Sequence, residues 1–207
     1  MRIRRRITHY SGVVFYRRHL PHLYEAEQPL FITWRLHGSL PVNRWFTPEG
    51  LTSGHAFAAM DRLLDQARSG PMYLRQPSVA DVVVTSLRYG DCVLGYYSLH
   101  SFVVMANHVH LLVTPKVALP LITKSIKGIT ARRSNALLSR KGNVFWQQES
   151  YDHLVRSEPE FKRVVSYIEW NPVRAGLAAT PEGFPWSSAH SRSGDRLAGQ
   201  EAGPTAV

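Results

Sequence analysis

His108 and His110 stand two residues apart in the apolar run "SFVVMANHVHLLVTP", Ser101 to Pro115. Alternate residues of a strand share a face at ~3.3 Å rise per residue, so both imidazoles point one way and Val109 points to the opposite layer. Two neutral imidazoles held in this way can share one divalent ion, each through a ring nitrogen. Two hydrogen-bonded core histidines satisfy the same pattern. A second pair, Tyr167 and Asn171 in "SYIEWNPVRAGL", is four residues apart, one turn along one helical face. Phe161, Val164, Val165 and Ile168 form that helix's apolar stripe. Pro172 disfavours helical geometry at Asn171, so the helix is expected to end or kink there. On helix grammar alone, a tyrosine bordering the stripe and an asparagine before proline serve equally as packing and a stop. Tyr151 in "YDHLVR" is a competing phenol, sharing a strand face with His153 while Asp152 faces the other way.

The elements that position these residues follow from periodicity. "PLFITWRLHG", Pro29 to Gly38, is β-branched and aromatic enough for a first strand. Ser53 offers an N-cap to a helix with Phe57, Met60, Leu63, Leu64 and Ala67, closed by Gly70 and Pro71. "SVAD", Ser78 to Asp81, has capping-box spacing for a second helix running to Gly90. Leu94 to Met105 and His108 to Thr114 read as a hairpin around Ala106 and Asn107. From Pro120, Leu121, Ile122, Ser125, Ile126, Ile129, Arg133 and Leu137 recur at helical spacing and turn Lys124, Lys127 and Arg132 toward solvent. Tyr151 to Arg156 is the expected last strand, and "SEPE", Ser157 to Glu160, caps the last helix. This order predicts an α+β fold, a ferredoxin-like sheet with helices packed mainly on one face. Residues 1–28 read as a basic arm or irregular lead-in, 29–187 as the domain and 188–207 as a disordered tail.

The 207 residues carry 25 Lys and Arg against 15 Asp and Glu, a net charge of +10. Arg2, Arg4, Arg5, Arg6, Arg17 and Arg18 precede the first acidic residue, Glu25, and no Asp or Glu lies between Asp91 and Glu149. A one-signed surface of this kind attracts phosphate backbones. The single cysteine, Cys92, excludes an internal disulfide and a multi-cysteine zinc site. With no apolar run of membrane-spanning length and no signal-peptide pattern, the expectation is a cytoplasmic, nucleoid-associated protein without a membrane partner.

Taken together, "NHVHLLV" (107–113), "FWQQESYDHLVR" (145–156) and "YIEWNPVRAGL" (167–177) resemble the single-tyrosine HUH transposases, and most closely the REP-associated tyrosine transposases. "RRHLPH" and "FITWRLHGSLP" add weaker support. The resemblance implies an HUH endonuclease-type domain that cuts and rejoins single-stranded, hairpin-containing DNA through a 5′-phosphotyrosine. It makes Tyr167 the nucleophile and His108, His110 and Asn171 the ligands of Mg²⁺ or Mn²⁺, although related transposases use glutamine at the third position. Arg4, Arg5, Arg6, Arg17, Arg18, Lys124, Lys127, Arg132 and Arg174 are the expected DNA contacts, with Trp146, Trp170 and Trp186 as stacking platforms for bases. Relatives occur as monomers and as homodimers. A different class of protein, a catalytically silent single-stranded nucleic-acid-binding regulator on the same scaffold, shares every feature except a need for the intact histidine, tyrosine and asparagine set.

Overall fold

A computed structural model describes residues 7–10, 13–17, 21–25, 27–40, 61–65 and 70–190, with the backbone alone for the first three segments. Seven strands are described: β1 (Ile7–Tyr10), β2 (Val13–Arg17), β3 (Pro21–Glu25), β4 (Leu30–Arg35), β5 (Tyr97–Val104), β6 (His108–Pro115) and β7 (Tyr151–Leu154). Residues 61–65 are helical (α1), followed by α2 (Pro77–Cys92), α3 (Leu119–Leu137) and α4 (Glu158–Arg174). The main sheet has the order β5-β6-β4-β7 with every neighbouring pair antiparallel, the strand order of a ferredoxin-like α+β fold.

Alternation along β4 and β6 divides the interior into two layers. Leu30, Ile32 and Trp34 of β4 and Val109, Leu111 and Val113 of β6 face α2 and α3 in the larger core. Phe31 and Leu112 face the other way and pack with Ile168 of α4. Two long helices thus cover one face, and α4 lies on the face to which His108 and His110 belong.

Several local expectations are corrected. The lead-in before residue 28 contains a three-stranded antiparallel meander, β1-β2-β3, in which Tyr10 pairs with Val13 across only Ser11 and Gly12. Alternating aromatic and β-branched residues suit strands, and Pro21 is tolerated because it is the first residue of β3, where no ladder donor is required. Arg17 is on β2. Of the helix expected from Ser53 to Gly70, only 61–65 is among the described residues. Ser78 does not cap α2: Gln76 occupies that position without a side-chain bond to the helix backbone, and Pro77 starts the helix with its preset φ. In α3 the buried stripe is Leu119, Ile122, Ile126, Thr130 and Ser134, leaving Leu121 and Leu137 about half exposed. Two polar residues complete that stripe, and one of them is bonded inside it: Thr130 Oγ1 donates to the Ile126 carbonyl (2.6 Å) and accepts from Trp146 Nε1 (2.8 Å).

The helix α4 does not stop at Asn171 but continues through Pro172 to Arg174. It ends at Gly176, whose φ of 71° suits glycine, with Gly176 N–H bonded to Val173 (3.0 Å) and Leu177 N–H to Pro172 (2.8 Å). That pair of bonds is a Schellman close, which satisfies the last carbonyls and lets the apolar Leu177 fold back. At its other end Ser157 accepts from the Glu160 N–H as expected, but the Glu160 carboxylate reaches past it to the Arg156 N–H (2.8 Å) and His153 (2.8 Å). The expected tail also begins too early. Ser187 and Ser188 are buried, and Ser187 forms a β-bridge to Val103, because the segment after α4 returns along the free edge of β5. Residues 191–207 lie outside the described residues.

Candidate active site

His108 and His110 are buried and converge as their spacing requires, with Nε2 atoms 3.0 Å apart. Each Nδ1 is held from behind. His108 Nδ1 is 2.7 Å from the Asn107 amide oxygen, which is identified as oxygen because the same amide's nitrogen donates to the Leu64 carbonyl at 3.0 Å. An acceptor at Nδ1 places the proton there and leaves the Nε2 lone pair free. His110 Nδ1 is 2.7 Å from Thr33 Oγ1 on β4, which provides the same support. Histidines that ligate a metal are oriented by such outer partners.

Asp61 of α1 enters the same point. Its Oδ1 is 3.0 Å from His110 Nε2 and 3.5 Å from His108 Nε2, and the three side chains are all buried. Ligand atoms about 2.1 Å from a small divalent ion and adjacent in its coordination shell lie roughly 3 Å apart, the spacing seen between these atoms. Asp61 Oδ1, Asp65 Oδ1 and Asn171 Oδ1 are buried without a hydrogen-bond partner. An orphaned buried acceptor costs about 1–3 kcal/mol, so Asp61 Oδ1, which lies beside both imidazole nitrogens, fits a cation there. Asn171 is buried with Nδ2 at 3.4 Å from His110 Nε2, and a half-turn of its carboxamide would present the oxygen to the same point.

The electrostatics agree with this donor set. Desolvation, the neighbouring His110 and their outweighing of Asp61's attraction push His108 down to about 3, so it is neutral, the state a ligand needs. Burial acts to raise Asp61, but the influence of His110, then of His108 and the Asn171 amide, outweighs it and holds this carboxyl below its usual range. Asp65, one turn further along α1, is pushed up to about 7 by its own burial and by the Asp61 charge.

Tyr167 lies at the edge of the cluster. Its hydroxyl donates to Asp61 Oδ2, its ring meets Phe31 edge-on at 6.1 Å, and the Arg174 guanidinium sits 5.0 Å from the ring centroid. Tyr151 is on the same sheet face, against the far side of Phe31 at 6.4 Å. Of the residues singled out in the sequence, His108, His110, Tyr167, Asn171 and Arg174 come together. Lys124 and Arg132 are exposed on α3, behind the opposite face of the sheet, and Lys127 is half-buried, donating to the Gln147 (2.7 Å) and Gln148 (3.0 Å) carbonyls instead of facing solvent. Trp146 is core and Trp186 is bonded to Asp81, leaving Trp170, 48 % exposed, as the accessible ring of the three. Arg4, Arg5, Arg6 and Arg18 lie outside the described residues. Asp61, Thr33 and Asn107 were missed. Asp61 and Asp65 had a signal: two carboxylates one turn apart repel unless something positive lies between them.

Comparison with known proteins finds one matching family model. The family model described as "Transposase IS200 like" matches residues 95–171, from the start of β5 through both histidines and Tyr167 to Asn171. That stretch is similar to the IS200-like transposases. A solved structure of a REP-associated tyrosine transposase bound to a REP hairpin is 18% identical to this protein, covers 91% of this chain and 87% of its own, and superposes with a TM-score of 0.53, which establishes a shared fold. A crystal structure of a Deinococcus radiodurans protein described as a transposase aligns over 72% of this chain and 93% of its own at 19% identity, with a TM-score of 0.33, below the level of a common fold. No curated protein matches the chain. Among the described residues no helix is long and apolar enough to cross a membrane.

Proposed function

We propose that this transposase is a divalent-metal-dependent tyrosine endonuclease and strand transferase that cuts and rejoins single-stranded DNA carrying a hairpin of the REP type, in the cytoplasm at the nucleoid. The observation that carries the reading is the Tyr167 hydroxyl bonded to Asp61, whose other oxygen meets the paired Nε2 atoms of His108 and His110. His108, His110 and Asp61 would hold Mg²⁺ or Mn²⁺, with Asn171 as a further ligand after an amide turn. When bound, the ion neutralises phosphate oxygens and orients the phosphorus for in-line attack.

The chain's own residues do the rest. Thr33 and Asn107 fix the imidazoles, while Phe31 and Arg174 hold the Tyr167 ring between an apolar edge and a cation. Tyr167 Oη forms a bond to phosphorus as the bond to the 3′ oxygen breaks. The phenolic proton is directed at Asp61 Oδ2, and the departing oxygen takes up a proton to become a 3′ hydroxyl. The 5′-phosphotyrosine conserves the bond energy, so the reverse attack by a 3′ hydroxyl rejoins DNA without a nucleotide cofactor. Arg174 stands where it can meet the phosphate joined to Tyr167.

A denaturing gel tests the proposal. A labelled single-stranded hairpin should become covalently attached to the protein with Mn²⁺, and the adduct should be lost with EDTA and with His108→Ala or His110→Ala. An adduct formed in full in EDTA would remove the metal from the reaction. DNA binding without any adduct would instead support the catalytically silent regulator.

A further inference from the structure

A cavity of about 170 Å³ opens beside the histidine pair, walled by Leu64, Asp65, Met72, Met105, His108 and Leu177. His108 lines it, whereas His110 and the Tyr167 ring, 5.6 Å from each other, do not, so the cavity lies on the His108 side of the cluster. We propose that this cavity receives the base of the nucleotide on the leaving side of the scissile phosphate, unstacked from its neighbours. The inference rests on the tyrosine-transposase reading, because the nucleophile and leaving oxygen of an in-line displacement stand on opposite sides of phosphorus. Tyr167 approaches from the Asp61 and His110 side. The 3′ oxygen therefore departs toward His108 and the cavity, and the nucleotide it belongs to has its base within reach.

The walls suit a base. Two methionine thioethers and two leucines make a polarisable apolar slot for an aromatic ring, and unpaired bases are commonly taken up by such surfaces. The volume is well below the roughly 300 Å³ at which sites for drug-sized ligands begin, and fits one ring system better than a larger ligand. Asp65 Oδ1, buried and without a hydrogen-bond partner, offers an acceptor to an N–H on the base edge. Arg75 also lines the cavity, is exposed and lies beside Met72 Sδ at 3.8 Å, where its guanidinium can meet the backbone phosphate that precedes the base.

The chain has four methionines, two of them in these walls, so methyl-labelled methionine NMR on the full chain reads the cavity without requiring cleavage. Met72→Leu assigns the signals. Titration with the four deoxynucleoside 5′-monophosphates should shift both the Met72 and Met105 methyls saturably for at least one of them, with deoxyribose 5-phosphate inert. Asp65→Asn should weaken that binding about tenfold. Leu177→Trp, on an exposed wall, should abolish it in a protein that remains folded. Silence of both methyls toward every nucleotide, or an equal response to deoxyribose 5-phosphate, overturns the base site. In the cleavage reaction, deleting the base immediately 5′ of the cut should raise KM while deleting the one immediately 3′ does not, and the reverse result overturns the assignment of side. Methyl shifts from a protein that never forms a DNA adduct would keep the base site and sink the transposase chemistry, so the two readings fail separately.

Discussion

If Tyr167 is the nucleophile proposed above, it is exchangeable at the level of packing but not of chemistry. Phenylalanine keeps the ring against Phe31 and beneath Arg174 and removes only the oxygen that meets Asp61. Tyr167→Phe should therefore abolish cleavage and adduct, by at least a thousandfold if the nucleophile is lost outright, while leaving DNA affinity nearly unchanged. Tyr151→Phe should retain the adduct. Mass spectrometry of a digest distinguishes the two, since Lys162 and Arg163 separate the tyrosines, and DNA found on the Tyr151 peptide would overturn the assignment. His108, His110, Tyr167 and Asn171 were legible because each pair is local: a spacing of two on a strand or four on a helix fixes a shared face. Asp61, Thr33 and Asn107 escaped the same reading. Asp61 reaches the cluster only by tertiary folding, 47 residues from His108 in sequence, and no periodicity announces such a contact.

Elements were legible where one apolar face decides them and less so where polar groups are buried. The β5–β6 hairpin, β7 and α4 follow hydrophobic pattern and capping directly. The stripe of α3 was placed one residue off because Thr130 and Ser134 are core residues of that helix, and polar residues score as surface when their partners are unseen. The contact of α2 with β5 is decided by a single glycine. Gly90 lies under Tyr97, whose hydroxyl donates to the Leu87 carbonyl at 2.7 Å, and a Cβ at position 90 would collide with that hydroxyl and the ring edge that carries it. Gly90→Ala should destabilise the protein by about 1–3 kcal/mol through this overpacking, despite alanine's better helix propensity. Tyr97→Phe in the same chain should recover part of the loss by removing the oxygen nearest the new methyl. Urea denaturation of the single and double variants measures both, and additive losses would show that the two side chains do not collide.

Over the whole molecule, charge was legible as a quantity but not as a map. Seven cations stand between Asp91 and Glu149 without an acidic residue, yet α3, which carries several of them, packs behind the sheet face opposite the histidines. Any attraction they exert on DNA would therefore be remote from the histidine cluster. The N-terminal arginines are better placed in the argument from composition, because six of them precede any acidic residue. Replacing Arg4, Arg5 and Arg6 with alanine should weaken binding to every single-stranded sequence and flatten the log–log salt dependence by up to ~0.7 per lost phosphate contact. An unchanged slope in anisotropy titrations across salt would mean that this segment does not touch the backbone.

The segment that returns along β5 ties α4 to its own chain. Glu169, between Tyr167 and Asn171, accepts from Ser188 (3.0 Å), which is also bonded to Ser101 of β5 (2.9 Å), and the Trp186 carbonyl accepts from the Val104 N–H (2.9 Å). On the proposed reading, nucleophile and ligands would then come from one polypeptide. Activity should then be indivisible between copies: a mixture of Tyr167→Phe and His110→Ala proteins, each dead, should stay dead at any ratio, and recovered adduct in that mixture would mean that helices are traded between partners.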